Sequence, residues 1–176
     1  MKSQPPRCSF VANFVGILMK QLALVVLMAL LVAGCDTNAV YKEYTDIEDG
    51  KWYIKNTPSF TFEIKDASTP YNIYYNLRNS LSYGYYNLYL TRYLRDSTGR
   101  ELESRLDELI LMDPKTGKPN GDGIGDIFDH KFLMKRNYRF PKPGQYTMQI
   151  RQYMRQDPLL NVLSVGITVE KAGAAN

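Results

Sequence analysis

The amino-acid sequence predicts an all-β chain: a single antiparallel β-sandwich of about seven to eight strands, immunoglobulin-like or jelly-roll-like, behind an N-terminal lipoprotein signal peptide. Three observations carry this reading. Apolar and polar residues alternate with period two in one short run after another from Phe60 onward. Clusters of Gly, Pro, Asn, Asp and Ser separate those runs. The long apolar run lies at the N-terminus and ends in two small residues followed by a cysteine.

That N-terminal run comes first in the chain. Residues 22–32 are continuously apolar, long enough for the core of a signal peptide and too short to span a bilayer. Leu31-Val32-Ala33-Gly34-Cys35 reads as a bacterial lipobox. Ala33 and Gly34 let the chain enter a peptidase in extended form, and the Cys35 thiol is next in line to receive a diacylglyceryl group before cleavage. Each buried acyl methylene is worth ~0.8 kcal/mol, so two or more chains hold a protein on a membrane in effect permanently. Residues 1–34 are therefore expected to be a signal peptide, with Met19, followed by Lys20, as an alternative start, and Cys35 is the expected lipidation site. An uncleaved anchor helix or a leader cut elsewhere is the competing reading.

Removal of the leader changes the charge and thiol accounting. The whole chain carries net +4, but Lys2, Arg7 and Lys20 lie in the leader, which has no acid. Of 22 basic residues, 19 remain against 18 acids, so the mature chain is nearly neutral and its charge gives no reason to expect nucleic acid as a partner. Cys8 leaves with the leader and Cys35 is consumed by lipid, so no thiol remains for a disulfide, a thiolate metal site or a nucleophile. Stability must come from packing, and a chain of this length makes one ordinary domain.

Residues 35–50 mix acids and bases with tyrosines and read as a lipidated tether, 51–171 as the sandwich and 172–176 as a flexible tail. Within the sandwich, Phe60, Phe62 and Ile64 alternate with Thr61, Glu63 and Lys65, the pattern of a half-buried strand. Residues 71–78 repeat it, with Ile73, Tyr75 and Leu77 opposite Asn72, Tyr74, Asn76 and Arg78. In 86–95, Leu88, Leu90 and Leu94 face the core and Tyr89, Thr91 and Tyr93 face out, while Arg92 interrupts the pattern and suggests an edge or a bulge. Residues 96–100 are a turn by composition, and 101–112 suit a helix or a strand, with strand favoured by the neighbours. Residues 113–125 form a loop rich in Gly, Pro, Asn and Asp. Strands follow over 145–155 and 163–169, the latter with Leu163, Val165, Ile167 and Val169 inward.

Few residues suggest chemistry. Asp122, Asp126 and Asp129 are weak metal candidates, because their loop misses the calcium-loop spacing: counted from Asn120, the third ligand position is Ile124 and no glutamate follows at the twelfth. Gly121, Gly123 and Gly125 lack the dinucleotide spacing. His130 is the one histidine, and no nucleophile elbow or paired base accompanies it. The acid pairs Glu101/Glu103 and Asp107/Glu108 lie in a self-solvating charged segment. No catalytic residue and no cofactor is therefore expected, and no small-molecule ligand can be assigned. The 14 tyrosines, all beyond the leader, are the better signal. Tyr74, Arg78, Tyr89 and Tyr93 fall on outward faces and would make a platform for a protein partner or a glycan, unless both faces of the sheet are covered.

The order of the pieces resembles a known family. After the lipobox come Val40-Tyr41-Lys42-Glu43-Tyr44, Trp52, Phe60 to Lys65, Tyr71-Asn72-Ile73, and Leu77-Arg78-Asn79 with Tyr86-Asn87-Leu88. Gly123-Ile124-Gly125-Asp126-Ile127, Phe140-Pro141, Gly144-Gln145-Tyr146-Thr147 and Gln152-Tyr153-Met154-Arg155 complete the series. This resembles the gliding-motility lipoprotein H (GldH) family over nearly the whole of residues 35–171. The resemblance implies a membrane-attached accessory protein of bacterial gliding, tied to type IX secretion, with other envelope lipoproteins or secretion-machinery proteins as partners and no catalytic activity. The position it transfers with a defined role is Cys35, the lipid acceptor. The residues just after Cys35 carry no clear surface-display signal, so the periplasmic face of the outer membrane is the expected location, with the inner membrane and the cell surface as the alternatives.

Overall fold

The computed structural model describes residues 38–173. The expected signal peptide and Cys35 lie outside the described residues. Eleven strands run in chain order: β1 (Ala39–Asp46), β2 (Lys51–Trp52), β3 (Ser59–Ile64), β4 (Tyr71–Ser80), β5 (Asn87–Asp96), β6 (Glu101–Ile110), β7 (Asp122–Ile124), β8 (Ile127–Tyr138), β9 (Gly144–Gln152), β10 (Leu159–Leu160) and β11 (Val162–Lys171). Among the described residues the one helical element is a single 3₁₀ turn, Glu48–Gly50.

All pairing is antiparallel, and the pairs nest. β5 pairs with β6 across a tight connection, β4 with β8, β3 with β9, and β1 with β11. The chain is thus one long ribbon folded back on itself, and successive rungs of that ribbon fall alternately into two sheets. One sheet runs β1-β11-β4-β8-β7 and the other β3-β9-β5-β6, with β2 and β10 forming a small separate pair. This connectivity is a jelly roll, the second of the two sandwich types expected.

Alternation was a reliable guide to the inner faces. Phe60, Phe62 and Ile64, Ile73, Tyr75 and Leu77, Leu88, Leu90 and Leu94, Tyr146, Met148 and Ile150, and Val165, Ile167 and Val169 all lie in the core. The ambiguous segment 101–112 is indeed strand over most of its length. In β11 a bulge between Val162 and Ser164 puts Val162, in place of Leu163, into the core. Glycine in that strand has a steric reason. A Cβ on Gly166 would lie 2.4 Å from the Glu43 carbonyl oxygen and 2.8 Å from the Tyr44 ring, which crosses it from β1.

Two expectations about elements need correction. The stretch read as a tether contains β1, which pairs with β11 along its whole length and sends Tyr41 against Phe62 with ring centroids 5.6 Å apart. The longest strand, β8, was not anticipated. Its core-facing side includes His130, Phe132 and Met134, so polar residues hide the period.

Arg92 also behaves differently from expectation. β5 is an interior strand between β6 and β9, and Arg92 keeps the alternation and points inward. A bulge does interrupt the β5–β6 ladder, but at Leu94–Arg95. The Arg92 side chain is 2% exposed and donates to Glu103 at 2.6 Å and to Asp107 at 2.8 Å. Asp107 also accepts from the Tyr75 hydroxyl at 2.7 Å, and Lys135 pairs with Glu103. Burial alone would raise the Glu103 carboxyl, but Lys135 and Arg92 hold it below its ordinary range. Tyr75 and Lys135 belong to one sheet and Arg92, Glu103 and Asp107 to the other, so this cluster ties the two layers together at mid-height. The acids sit on the inward side of edge strand β6, where charge also discourages edge-to-edge pairing.

The registers define two ends. Ala39, Lys171, Tyr71 and Tyr138 stand together at one end of the five-stranded sheet, as do Ile64, Gly144 and Asp96 in the other. There the core is closed by Phe62, Tyr71, Phe140 and Tyr146, with centroids 4.6–6.3 Å apart. Such ring pairs contribute about 0.5–1.5 kcal/mol each beyond the area they bury. The loops after β1, β4, β6 and β9 gather at the opposite end.

Candidate functional site

The four tyrosine and arginine positions proposed as one platform do not share a face. Tyr74 and Arg78 lie on the outer side of β4 in the five-stranded sheet, and Tyr89 and Tyr93 on the outer side of β5 in the four-stranded sheet. Consecutive rungs of the ribbon enter opposite layers, so the two pairs look away from each other. Tyr74 carries the Lys131 ammonium 4.3 Å from its ring centroid. Arg78 forks onto Asp129 at 2.8 and 3.1 Å. Both are engaged with neighbours on their own sheet.

The second pair leads to a site. Tyr89 lines an open groove of about 560 Å³ together with Tyr85, Leu106, Tyr153, Met154 and Arg155. It lies on the outer face of the four-stranded sheet, at the end away from Ala39. Tyr89 and Leu106 come from neighbouring strands β5 and β6, where Thr91 pairs with Leu106 and Tyr89 with Glu108. The Tyr153–Arg155 wall follows β9 directly.

That wall is pinned from beneath. Gln152, fully buried, accepts from the Met154 amide at 2.7 Å and donates to the Gln156 carbonyl at 3.1 Å, closing the backbone into a ledge. The Tyr153 amide donates to the Tyr89 carbonyl at 2.8 Å, the Tyr89 amide to the Met154 sulfur at 3.3 Å, and the Tyr85 hydroxyl to Gln156 at 3.0 Å. The backbone is therefore held while side chains stay in water: Leu106 is 50% and Tyr153 63% exposed. Hydrogen bonding to Glu108 holds the Tyr89 phenol above its ordinary pKa, so that phenol remains neutral at physiological pH. A smaller groove of about 270 Å³ adjoins the ledge, lined by Ile54, Arg151 and residues 152–155. Neither Arg151 nor Arg155 has a carboxylate partner among the described residues. The arrangement can receive an apolar or aromatic side chain beside an anionic group. Tyr93 lies further along the same face, 5.9 Å from the Arg95 guanidinium.

The remaining candidates resolve into structural roles. His130 points inward, bonds Asn79 Oδ1 through Nε2 at 2.8 Å and stacks on Phe132 at 5.5 Å. Burial lowers its pKa, outweighing Asp129 and Asp122 nearby. Asp129 is taken by Arg78, and Asp122 sits opposite it in the β7–β8 ladder. Asp126 lies in the intervening turn, and its carbonyl accepts from Leu81 at 2.7 Å. Among the described residues no three His, Cys, Asp or Glu side chains group as a metal site. Glu103 and Asp107, read as solvated acids, are instead the partners of buried Arg92. Tyr85 and Leu106 had no signal as site residues: Leu106 reads as a core position of a helix, and Tyr85 precedes its strand. Tyr153 was visible, since it falls outward in the same alternation as Gln149 and Arg151.

Comparison with known proteins places this architecture. The chain is 29% identical over 154 residues to the gliding motility lipoprotein GldH homolog of Christiangramia forsetii, covering 81% of this chain and 90% of that one. It is 26% identical over 159 residues to the gliding motility lipoprotein GldH of Flavobacterium johnsoniae, covering 86% and 97%. Among solved structures, the infectious bursal disease virus VP2 subviral particle gives a TM-score of 0.35 at 15% identity, over 76% of this chain and 31% of that one, too distant to bear on function. The GldH lipoprotein family model matches residues 39–169, from the first residue of β1 nearly to the end of β11. The chain belongs to the GldH lipoprotein family.

Proposed function

We propose that this protein is a lipid-anchored, non-enzymatic accessory component of bacterial gliding motility and type IX secretion, held by Cys35 on the periplasmic face of the outer membrane and acting through contacts with other envelope proteins. The observation that carries the reading is the family match across the whole sandwich, with relatives that bear the gliding-motility name over nearly their full length. The groove supports the protein-contact part. Its lining of tyrosines, a leucine and a methionine with one arginine is the composition of a protein-binding hot spot. A sugar would need several convergent polar groups, so glycan binding through the exposed Tyr153 ring is the second reading. The one histidine is bonded to Asn79 inside the sandwich and lines no part of this groove.

The test is clean deletion of the gene, with secretion of type IX cargo and colony spreading as readouts. Loss of both, restored by the wild-type gene and not by Cys35→Ala, is the expected result. Unchanged secretion and spreading in the deletion strain would contradict the role, and retention of the protein on polysaccharide would then favour the glycan reading.

A further inference from the structure

From the distribution of charge between the two ends, we infer that the end of the sandwich where β1 begins rests directly on the membrane, its basic loops bound to anionic phospholipid headgroups of the leaflet that holds Cys35. The inference builds on the lipid anchor proposed above. Cys35 precedes β1 by four residues, an extended span of at most about 14 Å. Ala39 pairs with Glu170, at the end shared with Lys171, Tyr71 and Tyr138. An anchor that short brings this end of the domain, and no other, within reach of the headgroups.

The chemistry of that end fits the contact. Its loops, residues 65–70, 97–100 and 139–143, with the last residue of β11 and the two after it, contain five basic residues, Lys65, Arg100, Arg139, Lys142 and Lys171, and one acid, Asp66. All five cations are exposed. Lys65, Lys142 and Lys171 have no carboxylate partner among the described residues. Most acids at this end are occupied: Asp66 accepts from Ser68 and Thr69, which hold its carboxyl down to about 2, Asp96 accepts from Thr98 and lies 3.5 Å from Arg100, Glu101 lies 3.7 Å from Arg95, and Glu170 pairs with Lys131, which leaves Glu63 exposed in the groove it shares with Lys65 and Lys171. The segments at the opposite end, residues 47–58, 81–86, 111–126 and 153–161, are close to neutral, with acids exceeding bases by one. The polarity therefore favours one orientation on an anionic surface, and each basic residue near such a surface adds to it.

The test uses the mature, lipidated protein in vesicles of neutral phosphatidylcholine and in vesicles that also contain phosphatidylglycerol. Flotation with the neutral vesicles reads the lipid anchor, and backbone hydrogen exchange reads the rim. We expect amides in 65–70 and 139–143 to exchange at least about fivefold more slowly on the anionic vesicles, the worth of one surface cation beside anionic lipid. High salt or the triple variant Lys65→Glu/Lys142→Glu/Lys171→Glu abolishes the difference while flotation persists. These positions are exposed and unpaired, so the variant folds, as the unchanged exchange of core β4 and β11 amides checks. Flotation with equal exchange on the two vesicle types overturns the headgroup contact alone. Failure to float with neutral vesicles overturns the anchor and the contact together.

Discussion

The two ends of this sandwich use the same residue type for opposite purposes. At the end where β1 begins, Tyr71 and Tyr146 are buried in the ring cluster with Phe62 and Phe140, and their hydroxyls donate to the backbone carbonyls of Asp66 at 2.8 Å and Lys142 at 2.6 Å. These bonds tie the basic loops to the core. At the opposite end Tyr85, Tyr89 and Tyr153 stand in water on a ledge whose backbone is fixed by buried Gln152. Burial with a satisfied hydroxyl makes a tyrosine a structural residue; exposure on a held backbone makes it available to a partner at little entropic cost. The comparison gives one end a structural role and leaves the other as the proposed recognition surface, with the Arg92 cluster linking the layers between them.

The largest expected effect is at the closed end. Phe140→Ala removes a ring packed on Phe62, Tyr71 and Tyr146 and should destabilise the fold by about 3–5 kcal/mol in denaturant unfolding. A loss under about 1 kcal/mol would mean that this cluster does not close the core. Arg92→Ala comes next. It leaves Asp107 and Glu103 without their buried cation and should cost about 3 kcal/mol, because a broken buried pair is worse than none. Replacement of Arg92 and Asp107 by apolar residues together with Tyr75→Phe, which leaves Glu103 its pair with Lys135, should recover much of that loss.

A smaller effect depends on pH. Burial depresses the His130 pKa below its ordinary 6.5, so the folded state binds a proton less readily than the unfolded chain. Its contribution is complete above 6.5 and is lost as pH falls from there toward the folded value. Midpoint measurements from pH 8 to 5 should show stability declining below 6.5, with a flatter profile in His130→Gln. Identical profiles would show that the imidazole does not titrate with folding. The smallest effect on stability belongs to the far end, where Tyr153→Ser should change unfolding by no more than about 0.5 kcal/mol.

How far these roles can be read from sequence differs along the chain. Alternation marks β3, β4, β5, β9 and β11 because each sends at least three apolar residues to the core, with Arg92 the interruption in the β5 row. It misses β8, whose inward row contains His130, and β1, an edge strand whose charged residues lie close to water. Arg92 looks like an interruption in one strand and becomes intelligible only when Glu103 and Asp107 arrive from β6 and Tyr75 from β4. The same limit governs the site. Period two tells which residues of a strand are outward, but not which sheet the strand joins, so Tyr74 and Arg78 could not be separated from Tyr89 and Tyr93. The groove needs β5, β6 and the segment after β9 side by side, a juxtaposition set by the nested pairing.

The central claim, that the tyrosine groove at the far end performs the recognition, is tested most directly in cells lacking the gene and supplied with Tyr89→Ser/Leu106→Ser/Tyr153→Ser. Type IX cargo in the medium is the readout, and membrane-associated protein level is measured alongside. The account predicts normal abundance with secretion lost as in the deletion strain. Full secretion at normal abundance would contradict it.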